Sequence, residues 1–595
     1  MKPEQNSNNT LAFVAIAMVI LIGYQVFVVD PAAKKRKAEV QQAETAQQAE
    51  PPQVTPPSLD GTADSVATAH QASPSATLPD PIAIETPSLQ GSINLLGGRF
   101  DDLELKGYRQ TIEPNSPLVR LFGDGNGTAP YFAAFGWTGI AGAPSETTIW
   151  QISGPNRTLT ADTPVTLTHS AGGLSYERTI TVDEQSMFTI TDTVTNGTNQ
   201  AVQLAPFGVI RRQNVPEQAL GIAHEGFIGW LDGRLEDKKY KKIAKKGPFK
   251  QNSETGWLGL TDKYWMAALV PDQSKPFAAA YSEKNGIYTA RYVSGLQTLA
   301  PGQSLSQTER LFAGAKDVGV IETYAESLDI PRFDLAVDWG MFWFFTKPFF
   351  HLLDFLANMT LSWGVAAPFG IAILLMTVLV KLVFFPLANQ SYAAMSKMKK
   401  VQPQVDQLRT RYKGDFEKLN KEMMALYKRE KINPMAGCLP IFIQIPVFFA
   451  LYKVLFVSLE MRHAPFYGWV NDLSAPDPTS VFNLFGLLPY DPTVVPVIGG
   501  FLALGAWPLL MGCTMWLQQQ MNPPAQDPVQ RKIMAWLPVI FTFIMAPFAA
   551  GLVIYWTWSN VLSVAQQYWI MRKYQVDTPF DSFLKKLSGK SAKDA

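Results

Sequence analysis

The sequence predicts a multi-span α-helical membrane protein with six transmembrane helices and a large extracytoplasmic β-sandwich domain. Three observations carry that prediction. Apolar segments recur at 11–29 and at about 362–386, 438–459, 495–517, 533–549 and 551–571. Each is close to the ~20 residues that cross a bilayer as a helix. The long stretch between the first two segments alternates apolar and polar residues with Gly, Asn and Pro punctuation, as strands and turns do. The near-zero mean hydropathy therefore averages a polar first half and an apolar second half. A length of 595 residues and a net charge of +1 leave room for several domains and give no reason to expect a nucleic-acid ligand.

Leu11 to Val29 is a 19-residue apolar run preceded by one lysine, Lys2. It is too long for the core of a signal peptide and reads as an uncleaved anchor over 1–30. The rival reading is a cleaved signal ending near Ala33. Residues 31–90 are rich in Gln, Ala, Pro, Ser and Thr and read as a disordered linker. Residues 91–335 read as the β-sandwich, with strand patterns at Val165-Thr-Leu-Thr, Leu174-Ser-Tyr-Glu-Arg-Thr-Ile and Phe188-Thr-Ile-Thr-Asp-Thr-Val-Thr, the last ending in the turn pair Asn196-Gly197. The basic run Lys238 to Lys246 interrupts the pattern as a solvated loop. No cysteine lies in this stretch, so the domain needs no disulfide in an oxidising compartment.

Residues 336–360 read as an amphipathic helix lying in the membrane interface. Aromatics dominate it, while Lys347, His351 and Asp354 share one stripe. A second span over 361–387 is followed by a polar segment, 388–437. There Val401, Val405, Leu408 and Tyr412 form one helical stripe and Phe416, Leu419, Met423 and Leu426 another, with Gly414 between them. This predicts an antiparallel helical hairpin, in which Pro403 marks a kink or a helix start. Residues 438–571 hold spans three to six, the last two joined tightly at Ala549-Ala550, and 572–595 form a basic tail.

Eleven Lys and Arg residues lie between Lys397 and Lys431, and six more follow the last span. The positive-inside rule puts the hairpin, the tail and both termini in the cytoplasm and residues about 31–340 in the periplasm. Lys34-Lys-Arg-Lys37 disagrees, but long domains translocate largely regardless of charge.

No hydrolytic, redox or nucleotide signature is present. The five histidines are scattered, and Gly589-Lys590-Ser591 lacks the first glycine of a phosphate loop, Leu584 standing in its place. The spans do carry polar residues: Thr377, Gln444, Thr542, Ser559, Asn560, Ser563, Gln566 and Gln567. Such groups usually join helices; together they can also line a wet cavity. Lys381 is the sole charged residue from Ser362 to Pro386. A charge there costs about 2.5–3.5 kcal/mol on insertion scales. Either the side chain snorkels to the cytoplasmic surface or a positive charge is needed in place, and the residue alone leaves both readings open.

Several stretches carry a specific likeness: Met423-Met-Ala-Leu-Tyr-Lys-Arg-Glu-Lys-Ile-Asn433-Pro434, Gly437-Cys-Leu-Pro-Ile-Phe-Ile-Gln444-Ile-Pro-Val-Phe448, Asp527-Pro528, Leu537-Pro-Val-Ile-Phe-Thr542 and Gly551-Leu-Val-Ile-Tyr-Trp-Thr-Trp-Ser-Asn560. On these, residues 362–571 resemble the YidC family of membrane-protein insertases. Gly97-Gly-Arg-Phe-Asp-Asp-Leu-Glu-Leu-Lys-Gly-Tyr108 matches the external domain of the family's Gram-negative branch more loosely. The resemblance implies a bacterial inner-membrane insertase and chaperone that is not an enzyme and takes no cofactor or metal. It implies a hydrophilic groove open to the cytoplasm and the lipid, with Lys381 as the groove charge where many members carry arginine. Thr377, Gln444, Thr542, Ser559, Asn560 and Ser563 would line it, and Phe448, Tyr555 and Trp556 would touch substrate. Implied partners are nascent membrane proteins, the Sec translocon, the lipid bilayer and, through the basic hairpin and tail, the ribosome. Lysine keeps the charge but loses the bidentate fork of arginine, so a point-charge role survives better than a shape-specific clamp. The rival class is a small-solute transporter or channel, which predicts inverted repeats that the unequal loops do not suggest.

Overall fold

The computed structural model describes residues 80–576, 578 and 581, apart from 124–129, 214, 216–222, 341, 431, 433–438, 489, 491, 496–498 and 524–527; side chains at 416, 439–443, 500, 501 and 528–530 are also left aside. The expected anchor at 11–29, the linker up to residue 79, and the tail from 582 lie outside the described residues. So do Asn433, Pro434, Gly437 and Asp527 of the motifs above.

Two antiparallel-dominated sheets, of 11 and 10 strands, face each other across one apolar core. Alternation drives them: in Leu174–Val182 every second side chain is buried, and this strand pairs with Met187–Asn196 over nearly its whole length. Asn196 then fixes the turn, its amide donating to Gln200 O and Leu299 O while its side-chain oxygen accepts from Thr198 N. Phe100 of one sheet meets Phe188 of the other, ring centroids 5.0 Å apart. The first strand, Ile82–Glu85, falls inside the stretch expected as linker. Its two apolar residues, Ile82 and Ile84, are too short a pattern to stand out beside the prolines that flank it. The basic run is also built differently from a loop. Tyr240–Lys246 is a helix (α1) that buries Tyr240 and Ile243 and turns its lysines outward.

A polar knot crosses the gap between the sheets. Arg178 and Asp192 sit opposite one another on neighbouring strands and are almost wholly buried. The guanidinium forms a two-pronged pair at 2.7 Å and 2.7 Å and also donates to Phe135 O in the facing sheet. Trp137 Nε1 of that sheet donates to the same carboxylate at 2.8 Å. Every charge is therefore partnered, the condition for burying it. Nearby Tyr292 donates its hydroxyl to Glu309, both buried. Burial pushes the Glu309 carboxyl up to about 8, against the pull of the Tyr292 hydrogen bond.

Helix α2 (Val318–Ser327) starts on Asp317, whose carboxylate accepts from Val320 N. It packs with helix α3 (Trp343–Ser362) through charge: Lys347 Nζ lies 2.8 Å from Glu322 and 3.3 Å from Asp334, and His351 lies 3.5 Å from Glu322. The polar stripe of α3 thus points at the β domain. Trp343, Phe344, Phe355 and Trp363 are left exposed. The helix expected over 336–360 runs 343–362, and Trp339 precedes it, buried against Phe350.

Helix α4 (Pro368–Val383) and helix α5 (Phe385–Lys400) meet at 69°. Pro386, second residue of α5, has no N–H for the turn to Leu382, so the helix cannot run through. The span expected over 361–387 therefore breaks at Phe384. Helix α6 (Gln402–Arg411) begins with Pro403 in its first turn, a helix start as the sequence allowed. Gly414 at φ 101° turns the chain, and Asp415 caps helix α7 (Phe416–Arg429) by accepting from Lys418 N. The stripes Val401, Val405, Leu408 and Leu419, Met423, Leu426 pack together.

Helix α8 (Leu439–Val457), the short α9 (Gly499–Leu502), α10 (Ala506–Met521), α11 (Pro528–Met545) and α12 (Ala550–Lys573) complete the helical region. The expected fourth span, 495–517, is helical in two pieces. Helices α11 and α12 touch near their joint through Phe541 and Trp556, centroids 5.5 Å apart, while α10 packs along both. Gly512 permits this: a Cβ there would lie 2.0 Å from Thr542 Oγ1. Among the described residues no single helix is long and apolar enough by itself to cross a membrane, and the bent pair α4–α5 qualifies only together.

One apolar cluster runs from Met187, Trp257 and Phe312 of the β domain through α2 and α3 into α4, α8 and α12. Polar latches flank it. Asp338 accepts from Lys453 Nζ at 2.7 Å and from His224 N at 2.9 Å. Arg462 donates to the carbonyls of Arg109 and Gln110.

Two outcomes follow from the inter-sheet knot. Arg178→Met leaves a buried, unpaired carboxylate and lowers stability by about 3–5 kcal/mol, read as a drop in the denaturant midpoint of the β domain; adding Asp192→Asn recovers part of the loss. Glu309, with its folded-state value raised from 4.5 to about 8, favours the folded state fully below its unfolded value and loses that contribution as pH rises through about 8. Glu309→Gln is therefore expected to flatten the fall in melting temperature between acid and mildly alkaline pH.

Candidate functional site

The site is built on α12, the most buried helix of the region. Tyr555, Ser559 and Ser563 recur every four residues and so share one face. Neighbouring helices answer that face with polar side chains. From α8, Gln444 Nε2 reaches the Tyr555 hydroxyl at 2.6 Å. From α4, Lys381 Nζ donates to Ser563 Oγ at 2.8 Å. Ser563 passes its own proton to Ser559 O at 2.8 Å. From α5, Tyr392 is buried against Ile570 of α12, and Asn389 Oδ1 accepts from Gln566 Nε2 at 3.0 Å.

Lys381 lies in the last turn of α4. Its chain neighbours Leu382 and Val383 are exposed, at 60% and 73%, while its own side chain turns back toward α12. Among the described residues no carboxylate acts on it. A cation held by a hydroxyl, in apolar surroundings and with no counter-ion, is an open electrostatic demand.

The remaining residues singled out from the sequence fall elsewhere. Thr377 is buried and donates to Ile373 O in its own helix at 2.6 Å rather than to Lys381. Thr542 does likewise to Pro538 O at 2.8 Å, facing Gly512. Asn560 donates to Thr514 Oγ1 of α10 at 3.2 Å, and Gln567 to Met521 O and Asn522 Oδ1. These four hold helices or bond their own backbone. Lys381, Gln444, Ser559 and Ser563 are the ones brought onto one face. Phe448 is half-buried, its ring 4.8 Å from Trp556 and stacked on Tyr452. Tyr555 is buried beside them. Among the described residues no group of three or more His, Cys, Asp or Glu side chains gathers where a metal ion could sit.

Sequence reasoning missed Tyr392 and Asn389 because their segment reads as cytoplasmic hairpin. A signal existed: Ala388, Tyr392 and Met395 follow helical spacing, and they pack on Ile570 of α12.

Comparison with known proteins covers the whole chain. Residues 81–352 match the family model described as the YidC periplasmic domain, and residues 361–577 match that of the 60Kd inner membrane protein. A Caulobacter vibrioides protein named membrane protein insertase YidC is 48% identical over 99% of both chains. Another of that name from Nitrobacter hamburgensis is 50% identical over 86% of this chain and 87% of its own. A third, from Maricaulis maris, is 44% identical over 98% of both. Among solved structures, a YidC insertase crystal structure with its first transmembrane domain resolved overlays 82% of this chain and 92% of its own, at 16% identity and a TM-score of 0.34. A large β-rich domain followed by a helical region, matched end to end by such relatives, leaves one conclusion: the chain belongs to the YidC family of membrane protein insertases.

Proposed function

We propose that this protein inserts and folds nascent membrane proteins in the bacterial inner membrane. The function itself follows its relatives, which are named insertases along their full length. The mechanism rests on one observation: Lys381, with no carboxylate acting on it among the described residues, bonds Ser563 on a hydroxyl-bearing face between helices.

In this reading the chain crosses the membrane six times, at 11–29 and at the five later apolar segments, with both termini in the cytoplasm and the β domain in the periplasm. The positive-inside distribution supports that arrangement. The domain limits are those read above, with the ordered β domain starting near Ile82. Lys381 is the groove charge, and Gln444, Ser559 and Ser563 are its polar lining. Thr377, Thr542 and Asn560 contribute helix packing around it. Phe448 and Trp556, both partly exposed, form the aromatic side along which a client helix leaves for lipid, with Tyr555 buried behind them and bonded to Gln444.

The physical task is to carry a short polar flank, often acidic, across hydrocarbon. A fixed cation partway across shortens the fully apolar path and stabilises an anionic flank where it is most costly. The client's apolar segment then partitions into the bilayer, and that transfer supplies the driving force without nucleotide. The basic hairpin and tail recruit the ribosome through its anionic RNA, and the Sec translocon hands over larger clients.

The test is insertion of a short single-span client with an acidic flank into vesicles holding the purified protein. Lys381→Ala is expected to slow insertion about tenfold, the effect of about 1.4 kcal/mol on the barrier. Lys381→Arg is expected to insert normally, and a client with a neutral flank to be little affected by either. Wild-type rates for Lys381→Ala would return the lysine to a snorkelling anchor.

A further inference from the structure

The segment that joins α8 to α10 contains a loop built inside out. No charged residue lies between Asp477 and Asp491. Within that stretch Phe482, Leu484, Phe485, Leu487 and Tyr490 are all exposed, Leu487 at 82%. The polar atoms, by contrast, face one another. Phe482 N donates to Ser480 Oγ, Gly486 N donates to Asn483 Oδ1 at 2.9 Å, Asn483 Nδ2 donates to Tyr490 O at 3.2 Å, and the Tyr490 hydroxyl donates to Phe482 O. Leu484 and Phe485 hold left-handed backbone, at φ 53° and 58°. Large L-residues avoid that region, and here it is the conformation that carries both side chains outward.

The root of the loop is rigid. Asp477 is buried and accepts from Thr479 N, Thr479 Oγ1 and Trp469 Nε1 on one oxygen, and from Trp507 N, in the first turn of α10, on the other. Thr479 Oγ1 accepts from Ala506 N. The apolar tip is thus presented from a fixed base, rather than being the loose end of a chain. A water-facing loop has the opposite arrangement, with polar side chains outward. A loop with its hydrogen bonds closed internally and its aromatic and aliphatic groups outward suits the boundary between headgroups and acyl chains, where Tyr and Phe settle. The surface continues onto α10, which exposes Leu510 and Trp516.

We propose that residues 478–490 are embedded in the outer leaflet of the inner membrane, making a second lipid anchor beside the aromatic face of α3. The occupant is phospholipid. The choice of leaflet rests on the topology proposed above, and the experiment separates the two claims.

The full-length protein, with Cys438→Ser and Cys513→Ser, carries an environment-sensitive fluorophore on Leu487→Cys in phosphatidylethanolamine–phosphatidylglycerol vesicles. The same label on Lys239→Cys, exposed on the β domain, is the aqueous control, and Val494→Cys, also exposed, gives an independent reading beside the loop. Embedding predicts strong quenching at Leu487 by lipids bearing a doxyl group near the headgroup, with loss of iodide quenching relative to Lys239. Iodide quenching equal to the control overturns the proposal. So does shielding without doxyl quenching, which indicates a second protein copy, and so does shielding that arises only when a client is added. Topology is read separately, by labelling Asn471→Cys in spheroplasts with an impermeant maleimide. Labelling supports the outer leaflet; failure to label overturns the topology, whatever the doxyl lipids report about embedding.

Discussion

In a largely apolar bundle a polar side chain must find a partner, and α12 makes that requirement the organising constraint of the helical region. Along this one helix Tyr555, Asn560, Ser563, Gln566 and Gln567 each bond a different neighbour: Gln444, Thr514, Lys381, Asn389, and the end of α10. An unmade hydrogen bond in hydrocarbon costs several kcal/mol, by order of magnitude. Rotating any neighbour about its axis therefore breaks a specific pair, which apolar packing alone would tolerate. The same ladder that fixes the helices also gives Lys381 its hydroxyl partner, Ser563. Structure and site are made from one set of bonds.

The β domain obeys the same rule with charges in place of hydroxyls. Arg178, Asp192 and Trp137 tie the two sheets at a point where both are closed to water. The apolar cluster beyond them does not stop at the edge of the domain but continues into α3, α4, α8 and α12. Lys453 on Asp338 and Arg462 on the carbonyls of Arg109 and Gln110 brace that continuation. The large domain is consequently seated on the end of α8, the helix that also brings Gln444 and Phe448 to the site.

Much of this was legible in the residues. The alternation of Leu174–Val182, the turn at Asn196, the helix start at Pro403 and the turn at Gly414 are local signals with local causes, and the structure keeps them. The polar character of α12 was visible too, down to Ser559 and Ser563. What the sequence could not supply was direction. Thr377 sits one turn before Lys381, yet its hydroxyl turns to its own backbone, because an oxygen on Cβ reaches the carbonyl four residues back more easily than it reaches across a groove. The break at Phe384 was hidden because apolar residues continue on both sides of it, leaving Pro386 as the lone marker. Ile82–Glu85 escaped notice because a four-residue strand among prolines has too few alternations to read. Family resemblance supplied the expectation that Phe448 and Trp556 touch substrate; by spacing alone they are ordinary helix packing.

The bend at Phe384 has a mechanical corollary. Helices α4 and α5 are two rods joined at a single residue, and both are pinned to α12, one through Lys381 on Ser563 and the other through Asn389 on Gln566. Beyond α5 lies the basic hairpin of α6 and α7. The assembly is a bell-crank: the hairpin is the long arm, Phe384 the pivot, and the lysine rides on the short arm. Swinging the hairpin would load the Asn389–Gln566 bond and, through the pivot, the turn of α4 that carries Lys381. A pull on the hairpin would thereby reach the charge held among the helices.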